Sequence, residues 1–118
     1  MSEELIFHLV TKRKWREYQR NGFYSPKDPL LPKDETTWVE CLKASQVEGA
    51  ANSRFQGRKS LLMLVVDSRR LAGKMEYREV EGERLPMVEG GINLDAILDK
   101  IELIPNNKGE FEIKIEIG

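Results

Sequence analysis

Ser60-Leu61-Leu62-Met63-Leu64-Val65-Val66 is the most hydrophobic stretch of the chain. It is too short for a typical core helix, so it reads as a central strand buried on both faces. It is also far short of the about 20 apolar residues that span a bilayer. Upstream, Leu5-Ile6-Phe7-His8-Leu9-Val10 is bulky and partly β-branched and reads as a second buried strand. Thr11 offers a hydroxyl N-cap to a helix over Lys12 to Arg20, on which Trp15 and Tyr18 share a face. Asn21-Gly22 reads as the stop of that helix, since both residues tolerate the left-handed conformation.

Pro26, Pro29 and Pro32 exclude regular structure over residues 24–36, a long loop of the kind that often serves as a lid or binding loop. Thr36 to Leu42 reads as a short strand, and Ala44 to Gln56 as a helix with an apolar stripe at Val47, Ala50, Ala51 and Phe55, ended by Gly57. Downstream of the hydrophobic stretch, Asp67 caps a turn that runs to Leu71. Lys74 to Val80 and Glu83 to Val88 flank Glu81-Gly82 as a hairpin. Asn93 to Ile97 is a tight turn leading into Ile97 to Ile104, and Asn106 to Gly109 is another turn. Phe111 to Ile117 alternates Phe and Ile with Glu and Lys, the pattern of a half-buried antiparallel strand. Two helices early and mostly strands later predict a single α+β domain over residues 1–118.

With 118 residues, 40% hydrophobic, the chain supports one core and one domain. Its net charge of -1 argues against a basic nucleic-acid coat. The basic excess concentrates at Lys12, Arg13, Lys14 and Arg16, read either as a solvated helix face or as a phosphate-attracting patch. Cys41 and His8 are the sole residues of their kinds, too few for a zinc site of cysteines and histidines, and no metal site is expected. One cysteine, no disulfide, no signal peptide and no apolar run long enough for a membrane point to a cytoplasmic protein. No dinucleotide fingerprint, P-loop or nucleophile elbow is present. Cys41 reads as a small buried residue unless a base lies beside it. His8 reads as a core or edge residue by default. Glu40, on the strand face of Trp38, lies either at a wet strand end or in a cleft with a shifted pKa.

Ile6-Phe-His8-Leu-Val-Thr11, Trp15, Gly22-Phe-Tyr24-x-Pro26, Gln46-Val47, Ala51-Asn52, Phe55-x-Gly57, the Leu61–Asp67 strand and Gly91-Ile-Asn-Leu-Asp-Ala96 follow one another in an ordered set. In that order they resemble the small bacterial domain-of-unknown-function 952 family, over about residues 5–105, with 106–118 as a C-terminal strand extension. The resemblance implies a split, mostly antiparallel sheet with two main helices, similar to the ADP-ribosyltransferase fold, around a cleft sized for nicotinamide dinucleotide. It implies that His8 orients a ribose of NAD, with Thr11 and Asn52 as further ligand-binding residues. The family's Phe-Ile-His-Cys-Ser motif here reads Trp38-Val39-Glu40-Cys41-Leu42, and its Pro-His-x-Tyr-Gly motif reads Pro86-Met87-Val88-Glu89-Gly90. Glu40 and Glu89 thereby become the candidate catalytic residues. Two carboxylates facing each other are expected to share a proton or hold a cation, or to mark a domain that kept the fold and lost the reaction.

Two functions remain open at this stage. One is the binding or processing of an NAD- or ADP-ribose-like nucleotide in a cleft, with His8 fixing the ribose. The other is a non-catalytic binding module, with the Phe111 to Ile117 edge available to a peptide or a second copy. The expected assembly is a monomer or a weak homodimer, with no membrane and no strong nucleic-acid contact.

Overall fold

The computed structural model describes residues 4–26 and 37–115. Chain order among them is β1 (Leu5–Val10), α1 (Lys12–Glu17), β2 (Gln19–Arg20), β3 (Phe23–Tyr24), β4 (Trp38–Glu40), α2 (Val47–Arg54), β5 (Leu61–Asp67), β6 (Met75–Val80), β7 (Glu83–Glu89), β8 (Ile92–Asn93) and β9 (Ile97–Leu103). The strands form three antiparallel sheets, ordered β1-β5-β9, β2-β3-β8 and β4-β7-β6. The architecture is α+β, as the sequence predicts.

β5 is central because both of its faces are buried, which is why its residues form an unbroken apolar run. Leu64 and Val66, with Ile6 and Val10 of β1, face a core completed by Trp15, Tyr24, Val39 and Val88. Leu61 and Met63, with Phe7 and Leu9, face a second core closed by Val47 and Ala51 of α2, Leu85 and Phe111.

The β1 and β4 sheets meet at one residue pair. Phe7 N–H donates to Leu42 C=O at 2.9 Å, and Leu42 N–H donates to Phe7 C=O at 2.7 Å. Continued in register, Leu9 would pair with Glu40, but the strands part before reaching it. β4 is held on its other side by β7, where Cys41 N–H bonds Pro86 C=O and Gly90 N–H bonds Thr37 C=O. The result is a split between the two sheets beyond that pair.

Several local expectations are corrected. The first helix ends at Glu17 rather than Arg20, because Gln19–Arg20 leaves it to pair with Phe23–Tyr24. Asn21 (φ 50°) and Gly22 (φ 81°) form the hairpin turn between them instead of a helix cap. The second helix opens as a tighter turn over Ala44–Gln46 and becomes α-helical only over Val47–Arg54. The strand expected over residues 36–42 is regular over Trp38–Glu40, plus the single Leu42 bridge. The Glu81-Gly82 hairpin has the same left-handed pair, φ 50° and 81°. Of the proline loop, residues 27–36 lie outside the described residues.

The final strand is also corrected. Phe111, Ile113 and Ile115 do turn inward onto the second core, but through residue 115 the segment joins no sheet. Its backbone bonds α2 side chains instead. Phe111 N–H donates to Asn52 Oδ1 at 2.7 Å, Asn52 Nδ2 donates to Phe111 C=O at 2.9 Å, and Ile113 N–H donates to Glu48 Oε2 at 2.8 Å. Asn52 thus imitates a strand neighbour, offering one donor and one acceptor to one residue. Asn52→Ala is expected to cost about 1–3 kcal/mol in urea denaturation, since it strips the partners from a half-buried amide and carbonyl. The Phe111 amide should lose its hydrogen-exchange protection in that variant while the β5 amides keep theirs.

Candidate functional site

The split between β1 and β4 is filled from one side by His8. Its Nδ1 lies 2.9 Å from Glu40 C=O and its Nε2 lies 3.0 Å from the Tyr24 hydroxyl. A carbonyl only accepts, so Nδ1 carries the proton and the Tyr24 O–H donates to Nε2. The backbone alternation explains the first bond. Residues 38, 40 and 42 turn their carbonyls toward β1, and Glu40 has lost the Leu9 amide that a continuous ladder would give it. His8 Nδ1–H satisfies that carbonyl in its place.

Burial holds the His8 pKa below its ordinary 6.5 as the largest influence; the Arg54 charge acts the same way, while the bond to Glu40 and the Glu40 charge oppose it. The neutral ring is the form that fits both partners. Tyr24 is 2% exposed, and its hydroxyl pKa is raised, first by burial and then by Cys41 and Tyr18 nearby. Tyr24 is seated by β8, its cross-strand partner being Ile92. It also stacks obliquely on Trp15, ring centroids 5.4 Å apart. Gly91 (φ 127°) allows that approach, because a Cβ there would come within 2.9 Å of the Tyr24 carbonyl oxygen.

Beside this strut lies a cavity of about 250 Å³ lined by His8, Leu9, Val10, Thr11, Lys14, Tyr18, Tyr24, Pro26 and Phe55. Tyr18, Tyr24, Pro26 and Phe55 give it apolar and aromatic walls, and Lys14 contributes a cation. Leu9 also lines it, although its side chain packs in the second core. Phe7 spends its N–H and C=O on Leu42, so the alternation points those of Leu9 the same way, out of the β1–β5 ladder and into the split. The described residues give neither group a partner.

Of the residues singled out from sequence, His8 and Thr11 come together here. Thr11 Oγ1 accepts from Lys14 N–H at 3.3 Å as the cap of α1. The others do not join them. Asn52 is fully engaged with Phe111 and Glu48 on α2. Glu89 ends β7 opposite Trp38, its N–H bonded to Lys74 C=O, and does not line the cavity. The Glu40 side chain turns to Arg54, with Oε1 2.6 Å from Nη1 in a charge contact that lacks the angle of a directed hydrogen bond. Glu40 thus answers a guanidinium. Among the described residues no three histidine, cysteine or acidic side chains group closely enough to hold a metal. Cys41 is wholly buried, and burial followed by the Glu40 charge raises its thiol pKa, so it supplies no thiolate near neutrality. Sequence reasoning did not assign Leu9, Tyr18, Tyr24 and Phe55 to a site, and it gave Lys14 only as part of a basic patch that attracts phosphate. The Gly22-Phe-Tyr24-x-Pro26 motif was the signal available for Tyr24.

The family described as protein of unknown function (DUF952) matches residues 9–100. The chain belongs to this family. No curated protein matches the chain. Among solved structures, the crystal structure of CC0527 from Caulobacter crescentus superposes with a TM-score of 0.74 at 16% identity, covering 92% of this chain and 93% of that one. The solution NMR structure of CC0527 gives a TM-score of 0.71 at 17% identity, covering 91% and 90%. At that identity the likeness establishes the fold alone. These neighbours are CC0527 structures and not ADP-ribosyltransferases, so the DUF952 fold stands here as a small α+β domain with a split antiparallel sheet. No helix among the described residues is long and apolar enough to cross a membrane.

His8 is the only histidine, so its linkage to folding is readable. Its folded pKa lies below the unfolded value, which means the unfolded chain binds the extra proton first. The stability is fully present above the ordinary value of 6.5 and is lost as pH falls from there toward the folded pKa. Urea midpoints taken between about pH 7.5 and about pH 5 should fall, and His8→Gln should flatten that fall.

Proposed function

We propose that this DUF952 domain binds a small planar ring bearing a primary carboxamide, of the kind carried by nicotinamide and by NAD. The observation that carries the reading is Leu9, whose N–H and C=O turn together into the split without a partner among the described residues. A primary carboxamide matches that pair, because its NH₂ donates to the carbonyl while its oxygen accepts from the amide. The aromatic walls suit a flat ring. A cavity of about 250 Å³ holds such a ring and part of a ribose, not a whole dinucleotide. Any remainder of an NAD- or ADP-ribose-like ligand lies outside it.

Binding is favoured over catalysis by the state of His8. Both ring nitrogens are committed to protein partners, so the imidazole braces Tyr24 and β4 and is not poised as a base or as a free ribose ligand. Glu40, a candidate catalytic residue by the family resemblance, is held by Arg54. The reading is that of a module that recognises a ligand in the split and leaves it intact.

Nicotinamide, benzamide and nicotinic acid separate the chemistry. Titrated into the full chain and followed by amide NMR, the two carboxamides should shift the Leu9 and Val10 amides with a Kd on the order of 1 mM, fitting for so few atoms. Nicotinic acid keeps the ring but cannot donate to the Leu9 carbonyl, and should bind about tenfold more weakly or worse. Equal binding of the acid and the amide, or a silent Leu9 amide with all three, contradicts the reading. NAD should bind at least as tightly as nicotinamide if the ring is the part held in the split.

A further inference from the structure

A second concavity, of about 390 Å³, opens on the other side of α1 and is lined by Lys12, Trp15, Arg16, Leu62 and Lys100. It shares no lining residue with the His8 cavity. Lys12 and Arg16 stand one helical turn apart, a like-charge spacing that weakens a helix. Lys100 comes to the same place from β9, its Nζ 5.1 Å from the centre of the Trp15 ring. The acidic side chain that answers them is Glu102, which forms an ion pair with Lys12. Arg16 and Lys100 have no carboxylate partner among the described residues. In a chain of net charge -1, three cations from two separate elements converge on one hollow with one counter-charge.

Lys12, Arg13, Arg16 and Lys100 are all exposed, but Arg13 lines no part of the hollow that the other three border. The hollow is also lined by Leu62 and by the Trp15 indole, over whose ring Lys100 lies and on which Tyr24 stacks obliquely. We infer that this hollow is a binding site for a phosphate monoester, whose dianion sits between Arg16 and Lys100 while its organic part lies on Leu62 and Trp15. A dianion relieves the mutual repulsion of the cations, and the guanidinium fork suits phosphate oxygens. The volume leaves room for a sugar-sized ester group beside the phosphate.

The probes are inorganic phosphate and ribose 5-phosphate, added to the full chain at constant ionic strength and followed by the two tryptophan indole N–H signals. The Trp15 signal should shift saturably while that of Trp38, on β4, stays still. Ribose 5-phosphate should bind more tightly than inorganic phosphate; equal affinities assign the hollow to the free anion and overturn the ester. Arg16→Glu and Lys100→Glu should each weaken binding about tenfold or more, while Lys108→Glu, in the exposed Asn106–Gly109 turn, should leave it unchanged. Both site variants change exposed positions, and unaltered urea midpoints verify that they fold. A Trp15 shift that sodium chloride reproduces, or that survives both charge reversals, overturns the proposal. Because the carboxamide reading is followed at the Leu9 amide, each can fail without the other.

Discussion

One missing rung organises this domain. Two antiparallel sheets share the Phe7–Leu42 pair and then separate, although the register would carry them on to Leu9 and Glu40. Parting leaves the amide and carbonyl of Glu40 and those of Leu9 without ladder partners, and buried backbone groups left that way are costly. One of these four groups, the Glu40 carbonyl, is met by a side chain. His8 donates to the Glu40 carbonyl and is itself fixed by the Tyr24 hydroxyl, so a single imidazole holds the split open and ties it to the small β2-β3-β8 sheet.

The Leu9 side is left open. Leu9 directs its donor and acceptor into a cavity walled by Tyr18, Tyr24 and Phe55. The same geometry explains why His8 is neutral and committed. The ring is half-buried, protonation would force Nε2 to become a donor, and burial already disfavours the charge. Glu40 then has two separate duties, with its carbonyl on His8 and its carboxylate on Arg54 of α2. The helix, the strand and the split are thereby connected through one residue.

Much of the fold was legible in the sequence, for identifiable reasons. The run from Leu61 to Val66 announces a strand buried on both faces, and Glu81-Gly82 between two strand-like runs announces a hairpin. Asn21-Gly22 misled because a left-handed pair serves a helix end and a tight hairpin equally, and only pairing with Phe23–Tyr24 decides between them. The alternation after Phe111 told which residues turn inward but not what receives the backbone, which proved to be Asn52 and Glu48 rather than a strand. The site was legible at His8 and Thr11. Its decisive members, the Glu40 carbonyl and the Leu9 peptide groups, are main-chain atoms, and every residue type carries those. The replacement of histidine and tyrosine by Glu40 and Glu89 drew attention to carboxylates that the fold sends elsewhere.

Amide hydrogen exchange along β1 tests the central claim most directly. His8 and Val10 donate into the β5 ladder and Phe7 donates to Leu42, so all three should exchange slowly. Leu9, between them and nearly buried, should exchange much faster than its neighbours, and a carboxamide ligand should slow it. If Leu9 is protected to the same degree as Phe7, His8 and Val10 in the free protein, the ladder is closed there and the split does not offer a binding edge.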